Sequence, residues 1–257
     1  VNALELVGLT GKTRIEGVTI TGVRRAVERD GMRTGGGVYT LNCADLTLAS
    51  CTIADNWVQQ LDPGQSYNTR NYGGGVYAEN TFLTLTRCAI INNRNRQPGG
   101  YATTCGAGVY AKGGGGRIAF YGCDLATNWL TAATWGAGAA VYASCPVEMR
   151  SCLVKENIHD DCLRSAFYLS GGGTLENCTV VDNNTTCGVN SAGATVGITN
   201  SILWNNGDDV AGAVTVAYSD IQTGDSFWTN GINGCISVDP QFLEPHDYRL
   251  KPISPCV

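Results

Sequence analysis

Apolar residues recur along this chain in short alternating runs, each bounded by Gly, Asn or Asp. Leu46 and Leu48 alternate with polar neighbours, and after a one-residue break Cys51 and Ile53 continue the alternation. A period of two over four or five residues predicts short β-strands, because successive side chains of a strand point to opposite faces. No apolar run reaches 18 residues, so no membrane-spanning helix is expected.

The runs repeat. Aligned on Cys51, Cys88, Cys123, Cys152, Cys178 and Ser201, the chain places Ile53, Ile90, Leu125, Val154, Val180 and Leu203 two residues later. Three residues earlier stand Leu48, Leu85, Phe120, Met149, Leu175 and Ile198. Five residues after the anchor stand Asn56, Asn93, Asn128, Asn157, Asn183 and Asn206, identical in all six copies. Weaker copies flank them, with Ile15, Val18 and Ile20 in front and Val216, Ser219 and Ile221 behind. A second motif precedes the anchors: Gly-Gly-Gly-Val-Tyr at 35–39 and 73–77, Gly-Ala-Gly-Val-Tyr at 106–110, then Val141-Tyr142 and Phe167-Tyr168. The anchors at 18, 51, 88, 123, 152, 178, 201 and 219 are 18 to 37 residues apart, and nearly all the length variation falls between the Asn and the Gly cluster.

Short strands at that period, with one variable segment in each, predict an all-β solenoid: a right-handed parallel β-helix of about eight turns, over residues 1–222, with a C-terminal cap over 223–257. The repeated residues become columns. The six Asn form a hydrogen-bonded ladder at one corner, where their tolerance of left-handed backbone also helps. The Cys and aliphatic columns fill the interior, and Tyr39, Tyr77, Tyr110, Tyr142 and Tyr168 stack on one face.

The composition narrows the functional classes. The 257 residues include 34 Gly, 17 basic and 22 acidic side chains, for a net charge of −5, which speaks against a nucleic-acid partner. Twelve Cys without a single Cys-x-x-Cys pair point to an oxidising, extracellular or cell-surface setting rather than a zinc cluster. The chain starts at Val1 with neither Met nor signal peptide, as in a processed chain or a piece of a longer one. A bridge needs Cα atoms within about 7 Å. Cys162 and Cys187, at similar positions after their ladder Asn, are expected to pair, and Cys235 with Cys256 to close the cap. The inward Cys column is expected to stay mostly reduced. Cys43 and Cys145, three turns apart, cannot pair with each other, and Cys43, Cys105 and Cys145 have no assigned partner.

The Gly-Gly-Gly-Val-Tyr and Cys-x-Ile-x-x-Asn elements resemble the repeats of secreted or surface right-handed β-helix proteins of bacteria, among them the polymorphic outer-membrane proteins, and the wider pectate-lyase-like superfamily. Asp239-Pro240-Gln241-Phe242, Asp247-Tyr248-Arg249-Leu250 and Ser254-Pro255-Cys256 resemble the closing segments of such proteins. The resemblance implies the fold; lyases, hydrolases, epimerases and adhesins all share it.

The longest variable segments, 22–34, 57–72, 94–105, 129–135, 158–165 and 184–192, are read as loops stacked on one side. The segments 22–34, 57–72 and 94–105 hold seven Arg against three acids in an acidic chain. Arg24, Arg29, Arg70, Arg94 and Arg96, with Trp57, Tyr67, Tyr72 and Tyr101, form the candidate surface for a polysaccharide or cell-surface glycan: aromatic faces pack on sugars and guanidinium forks pair with uronate or sulfate. His159, Asp160, Asp161 and Arg164 are the weaker candidates for catalysis, since a polysaccharide lyase needs a base and a neutraliser for the uronate. They lack the Gly-His-Gly and Arg-x-Lys elements of polygalacturonase-like enzymes. No cofactor is expected, Ca2+ being the one ion that Asp and Glu side chains here could take. The expected function is therefore an adhesion or glycan-binding module, with a polysaccharide lyase and a subunit that self-associates end to end as alternatives.

Overall fold

The structure, a computed structural model, describes residues 3–24, 27–29, 32–59, 70–97, 103–132, 135–160, 164–223 and 229–257; the side chains of 27–29 and 97 are outside that description. It is a parallel β-helix. Three sheets wrap the core. The first holds strands such as Val38–Leu41, Val76–Glu79 and Val109–Lys112. The second holds Asp45–Ala49, Phe82–Thr86 and Arg117–Tyr121. The third has eight strands, one per turn, from Thr19–Thr21 to Asp220–Ile221. All rungs of these sheets pair in parallel, and the register follows the sequence repeat: Ile20, Ile53, Ile90 and Leu125 stand above one another. In the last two turns the first two sheets merge in Cys187–Thr199 and Asp208–Ala217, so 184–192, expected as a loop, is largely strand.

The six ladder Asn occupy one buried column. The first five side-chain amides each donate to the Oδ1 of the Asn one turn on, at 3.1 Å from Asn56 to Asn93, 3.1 Å from Asn93 to Asn128, 2.9 Å from Asn128 to Asn157, 2.8 Å from Asn157 to Asn183 and 2.7 Å from Asn183 to Asn206. The second N–H of each reaches a carbonyl of the preceding turn, as from Asn93 to Ile53 at 2.8 Å and from Asn128 to Ile90 at 2.9 Å. The left-handed corner belongs not to the Asn but to the residue before it: Asp55, Asn92, Thr127, Glu156, Asp182 and Asn205 all have φ between 51° and 56°. The Gly motif meets the ladder directly. A Cβ on Gly75 would lie 3.0 Å from Asn93 Cγ, and one on Gly108 would lie 3.1 Å from Asn128 Nδ2. The two repeated motifs are thus halves of one corner.

Beyond the Asn the chain leaves the core. Trp57–Gln59, Arg94–Gln97, Trp129–Ala132 and Ile158–Asp160 form a fourth sheet, and Met32–Thr34, Arg70–Tyr72, Thr103–Cys105 and Trp135–Ala137 a fifth. The segments expected as loops therefore begin and end as strands. Sheets four and five lie face to face as a fin: Asn95 Nδ2 donates to the carbonyls of Asn71 at 2.9 Å and Cys105 at 3.0 Å, and Thr104 Oγ1 to that of Thr131 at 3.3 Å. The other face of the fifth sheet lies back on the tyrosine stack. Tyr39, Tyr77, Tyr110, Tyr142 and Tyr168 stack ring on ring with centroids 5.0 to 5.4 Å apart. Tyr72 and Cys105 pack against them.

The Cys column is reduced. Cys51, Cys88, Cys123, Cys152 and Cys178 are free, buried thiols, and each points back to the carbonyl two residues before it, as from Cys51 to Ala49 at 3.2 Å. Cys43, Cys105 and Cys145 are also free and buried. The expected bond between Cys235 and Cys256 does not form: both are free. Ile236 bridges Asp220, so Cys235 sits under Ser219 at the end of the inward column, while the Cys256 thiol donates to Asp220 Oδ2 at 3.1 Å. Cys162 lies outside the described residues, and so does its pairing with Cys187, which is buried. The C-terminal residues close as an antiparallel pair, Phe242–Glu244 with Asp247–Leu250, whose Tyr248 hydroxyl lies 2.8 Å from both Glu156 and Asp182.

Replacing Asn128 by Ala removes the acceptor for the backbone and side-chain N–H groups of Asn93 and the donor to Ile90. Loss of about 1–3 kcal/mol is expected, read as a lower urea midpoint with the fold retained by circular dichroism.

The ladder ends on Asp209, which is fully buried and accepts from Asn206 Nδ2 at 2.8 Å and from the backbone N–H groups of Gln222 and Thr223. Burial pushes its carboxyl up to about 6, against the pull of those hydrogen bonds. The native state then holds a proton that the unfolded chain has lost, so this group's contribution to stability falls as pH rises from about 4 to about 6. Urea midpoints across that range should show the decline in the wild type and its loss in Asp209→Asn, itself destabilised because an amide replaces one acceptor oxygen.

Candidate functional site

The fin carries the site. Alternation in the fourth sheet turns Val58, Asn95, Leu130 and His159 inward and their neighbours outward. The outward positions fall into two columns, Trp57, Arg94, Trp129 and Ile158 in one, Gln59, Arg96, Thr131 and Asp160 in the other. Arg24 joins the first column from the turn before, since the carbonyl of Val23 accepts from the N–H of Trp57 at 2.6 Å.

In that column cations and rings alternate. The Arg24 guanidinium lies 4.3 Å from the Trp57 ring, and the Arg94 guanidinium is held between Trp57 at 4.7 Å and Trp129 at 4.8 Å. Each contact draws on the negative face of the indole. The Trp129 ring is fixed from its edge, where Nε1 donates to Asp160 Oδ2 at 2.6 Å. Trp57, Arg94, Arg96, Trp129, Thr131 and Asp160 line a cleft of about 290 Å³. Among the described residues no carboxylate stands in ion-pair contact with Arg24, Arg94 or Arg96.

Of the residues singled out in the sequence, Arg24, Trp57, Arg94, Arg96 and Asp160 meet here. Arg70 stands on the fifth sheet, exposed, in line with Met32 and Thr103. Tyr72 is not at the cleft: it is buried, stacks on Tyr110 at 4.4 Å, and burial pushes its hydroxyl up to about 12. His159 faces the fin interior beside the Gly136 backbone, 4% exposed, and burial holds its imidazole below the ordinary histidine range. Arg164 lies over the Trp135 ring at 5.3 Å. Tyr67, Tyr101 and Asp161, and the side chain of Arg29, lie outside the described residues. The four catalytic candidates are thus not gathered at one surface: Asp160 faces the cleft, and His159 faces away from it. Trp129 and Thr131 are the lining residues that the sequence reading missed. Their signal was the offset from the ladder Asn, one and three residues, shared with Trp57 and Gln59. Among the described residues there is no group of three or more His, Cys, Asp or Glu that could hold a metal ion.

No curated protein and no solved structure matches the chain. Replacing Arg94 by Met keeps the stem and removes the charge between the two indoles; a loss of about 1–2 kcal/mol is expected, with a changed near-ultraviolet Trp circular dichroism signal. The sequence matches the right handed beta helix region over residues 6–233, most of its length, and the chain belongs to that family.

Proposed function

We propose that this chain is an extracellular or cell-surface β-helix module that binds an acidic polysaccharide along the outer face of the fin. The observation that carries the reading is the set of Arg24, Arg94 and Arg96, cations without carboxylate partners among the described residues, on a chain of net charge −5. An acidic protein gains nothing in stability from leaving those charges unmatched; an anionic ligand supplies the match.

The geometry sets how such a ligand lies. The faces of Trp57 and Trp129 are taken up by guanidinium groups, so the ligand meets guanidinium edges, the donors that pair with carboxylate or sulfate. The stacking holds those side chains in place and reduces the entropy lost on binding. Arg24 and Arg94 stand two rungs apart. The two guanidinium groups repeat along the solenoid axis at about twice the rung spacing of about 4.8 Å, so an acidic chain lying along that axis meets both. The one carboxylate among the described lining residues, Asp160, is bonded to the Trp129 indole; the other polar lining groups supply positive charge and hydrogen-bond donors, the chemistry of binding and adhesion.

Binding of alginate, pectate, heparin and an uncharged glucan, measured by calorimetry, tests this. The acidic chains should bind, more weakly as salt rises, and the double variant Arg94→Gln, Arg96→Gln should lose at least tenfold in affinity. Equal binding of the uncharged glucan, or acidic-glycan binding indifferent to both salt and the double variant, would sink the reading.

A further inference from the structure

On the edge of the third sheet away from the fin, a second corner repeats. From Cys51 to Ser219, the residue before each Cys or Ser of the inward column sits in left-handed backbone, with φ from 49° at Tyr218 to 62° at Gly122. Gly122, Asn177 and Asn200 are types that tolerate that conformation. Tyr218 is not, since a bulky side chain with positive φ is a true outlier. Nor does Tyr218 gain burial from its position, for it is 69% exposed. Its ring rests on Gly234, where a Cβ would lie 2.5 Å from Tyr218 Cδ1. An aromatic ring is thus held out in water, on strained backbone, over a glycine. Outliers of this kind gather where a ligand is clamped.

The surroundings of the ring are an independent observation. Tyr218 lines a cavity of about 480 Å³, larger than the cleft of the fin, together with Asn177, Asn200, Asp220 and Cys256. Asn200 and Asn177 hold the same corner one and two rungs back: the Asn200 N–H donates to the Ala217 carbonyl at 3.2 Å, and that of Asn177 to the Thr199 carbonyl at 3.1 Å. The Asn200 amide donates to Asn177 Oδ1 at 2.5 Å. The Asn177 amide nitrogen and the Asn200 Oδ1 are left without a protein partner among the described residues, a donor and an acceptor side by side. Asp220 is buried with both oxygens bonded, Oδ1 by the Val238 N–H and Oδ2 by the Cys256 thiol, each at 3.1 Å.

We propose that this cavity binds an uncharged sugar residue, independently of the fin. A pyranose ring has a face of C–H groups and a rim of hydroxyls that each donate and accept. The Tyr218 ring covers the face, and the free donor and acceptor of the Asn pair meet two neighbouring hydroxyls. Rungs about 4.8 Å apart keep ring and amides within reach of one sugar. An acidic sugar finds no match, because among the described residues the lining holds Asp220 but no Lys, Arg or His.

Saturation-transfer NMR titrations with the methyl glycosides of glucose, galactose, mannose, N-acetylglucosamine and glucuronate test this. At least one uncharged glycoside should bind, indifferent to salt, and glucuronate should not. The binding should persist in the double variant Arg94→Gln, Arg96→Gln, which separates this site from the fin. Tyr218→Ala and Asn177→Ala should each lose about tenfold or more in affinity, while Tyr218→Phe should retain it. Tyr218→Asn, which restores the residue type found one turn earlier, should abolish sugar binding without lowering the urea midpoint, and serves if Tyr218→Ala does not fold. Failure of every uncharged glycoside to bind, glucuronate bound equally well, binding that survives the loss of the Tyr218 ring, or a lowered urea midpoint in Tyr218→Asn would each overturn the proposal.

Discussion

A carboxamide buried in an apolar turn must have its two N–H bonds and its carbonyl oxygen met, or it costs the fold more than the apolar residue it replaces. Stacking identical turns meets all of them at once. From Asn93 onward the oxygen of each ladder Asn accepts from the side chain and the backbone of the Asn before it, as Asn128 does from Asn93, while that of Asn56 accepts from the Val23 N–H, and the amide supplies the donors for the next turn and the last. This works only if every Asn is at the same height and the same corner. The column therefore fixes the register of the third sheet and the direction in which the chain leaves the core. The Gly cluster completes the corner: a Cβ on Gly75 or Gly108 would collide with a carbonyl oxygen of the next turn, at 2.7 Å from Gly108 and 2.5 Å from Ala140, and would crowd the ladder amide at 3.0 to 3.1 Å.

That dependence explains what could be read in the sequence. Inward positions sit at fixed offsets from the Asn and accept only one kind of residue, so the Cys, aliphatic, Tyr and Asn columns stand out without any structure. In the sequence the fin reads as loops, because its middle varies in length and its residue types change from turn to turn. Yet its strands keep fixed offsets too. Val58, Asn95, Leu130 and His159 all lie two residues after the ladder Asn and all turn inward; two apolar residues, an amide and an imidazole at one position conceal the pattern. In the sequence Cys235 reads as a disulfide partner for a related reason. Its rung is shortened to a single bridge, Asp220 to Ile236, and a column that ends in so short a piece leaves no repeat to align.

The two aromatic columns show how one geometry serves opposite ends. On the covered face five tyrosines follow one another ring on ring, and the first three, Tyr39, Tyr77 and Tyr110, are buried. On the open face Arg and Trp alternate. An Arg on every rung would set like charges about 4.8 Å apart, a repulsion that an indole between them removes while offering each guanidinium an attractive face. Alternation is thus the arrangement in which a solvent-facing column can be both ordered and positively charged. From the neighbouring column, one rung beyond Trp129, Asp160 bonds to the indole edge of Trp129 rather than to an Arg, which leaves the guanidinium edges without a carboxylate among the described residues.

The same corner also receives the end of the chain. The left-handed residue before each ladder Asn points its side chain outward, and at two successive turns that residue is an acid, Glu156 and Asp182. Tyr248 reaches both with one hydroxyl, and His246 Nδ1 lies 2.8 Å from Glu156. Partial burial pushes the Glu156 carboxyl up, but the hydrogen bonds from His246 and Tyr248 outweigh it and hold the group below the usual range. The bonds therefore favour the charged carboxylate, and the clip tightens as Glu156 ionises. Inward, the corner spends its hydrogen bonds on stacking turns. Outward, it spends them on fastening the closing segment to the flank, where a disulfide between Cys235 and Cys256 would have tied that segment only to the last rung.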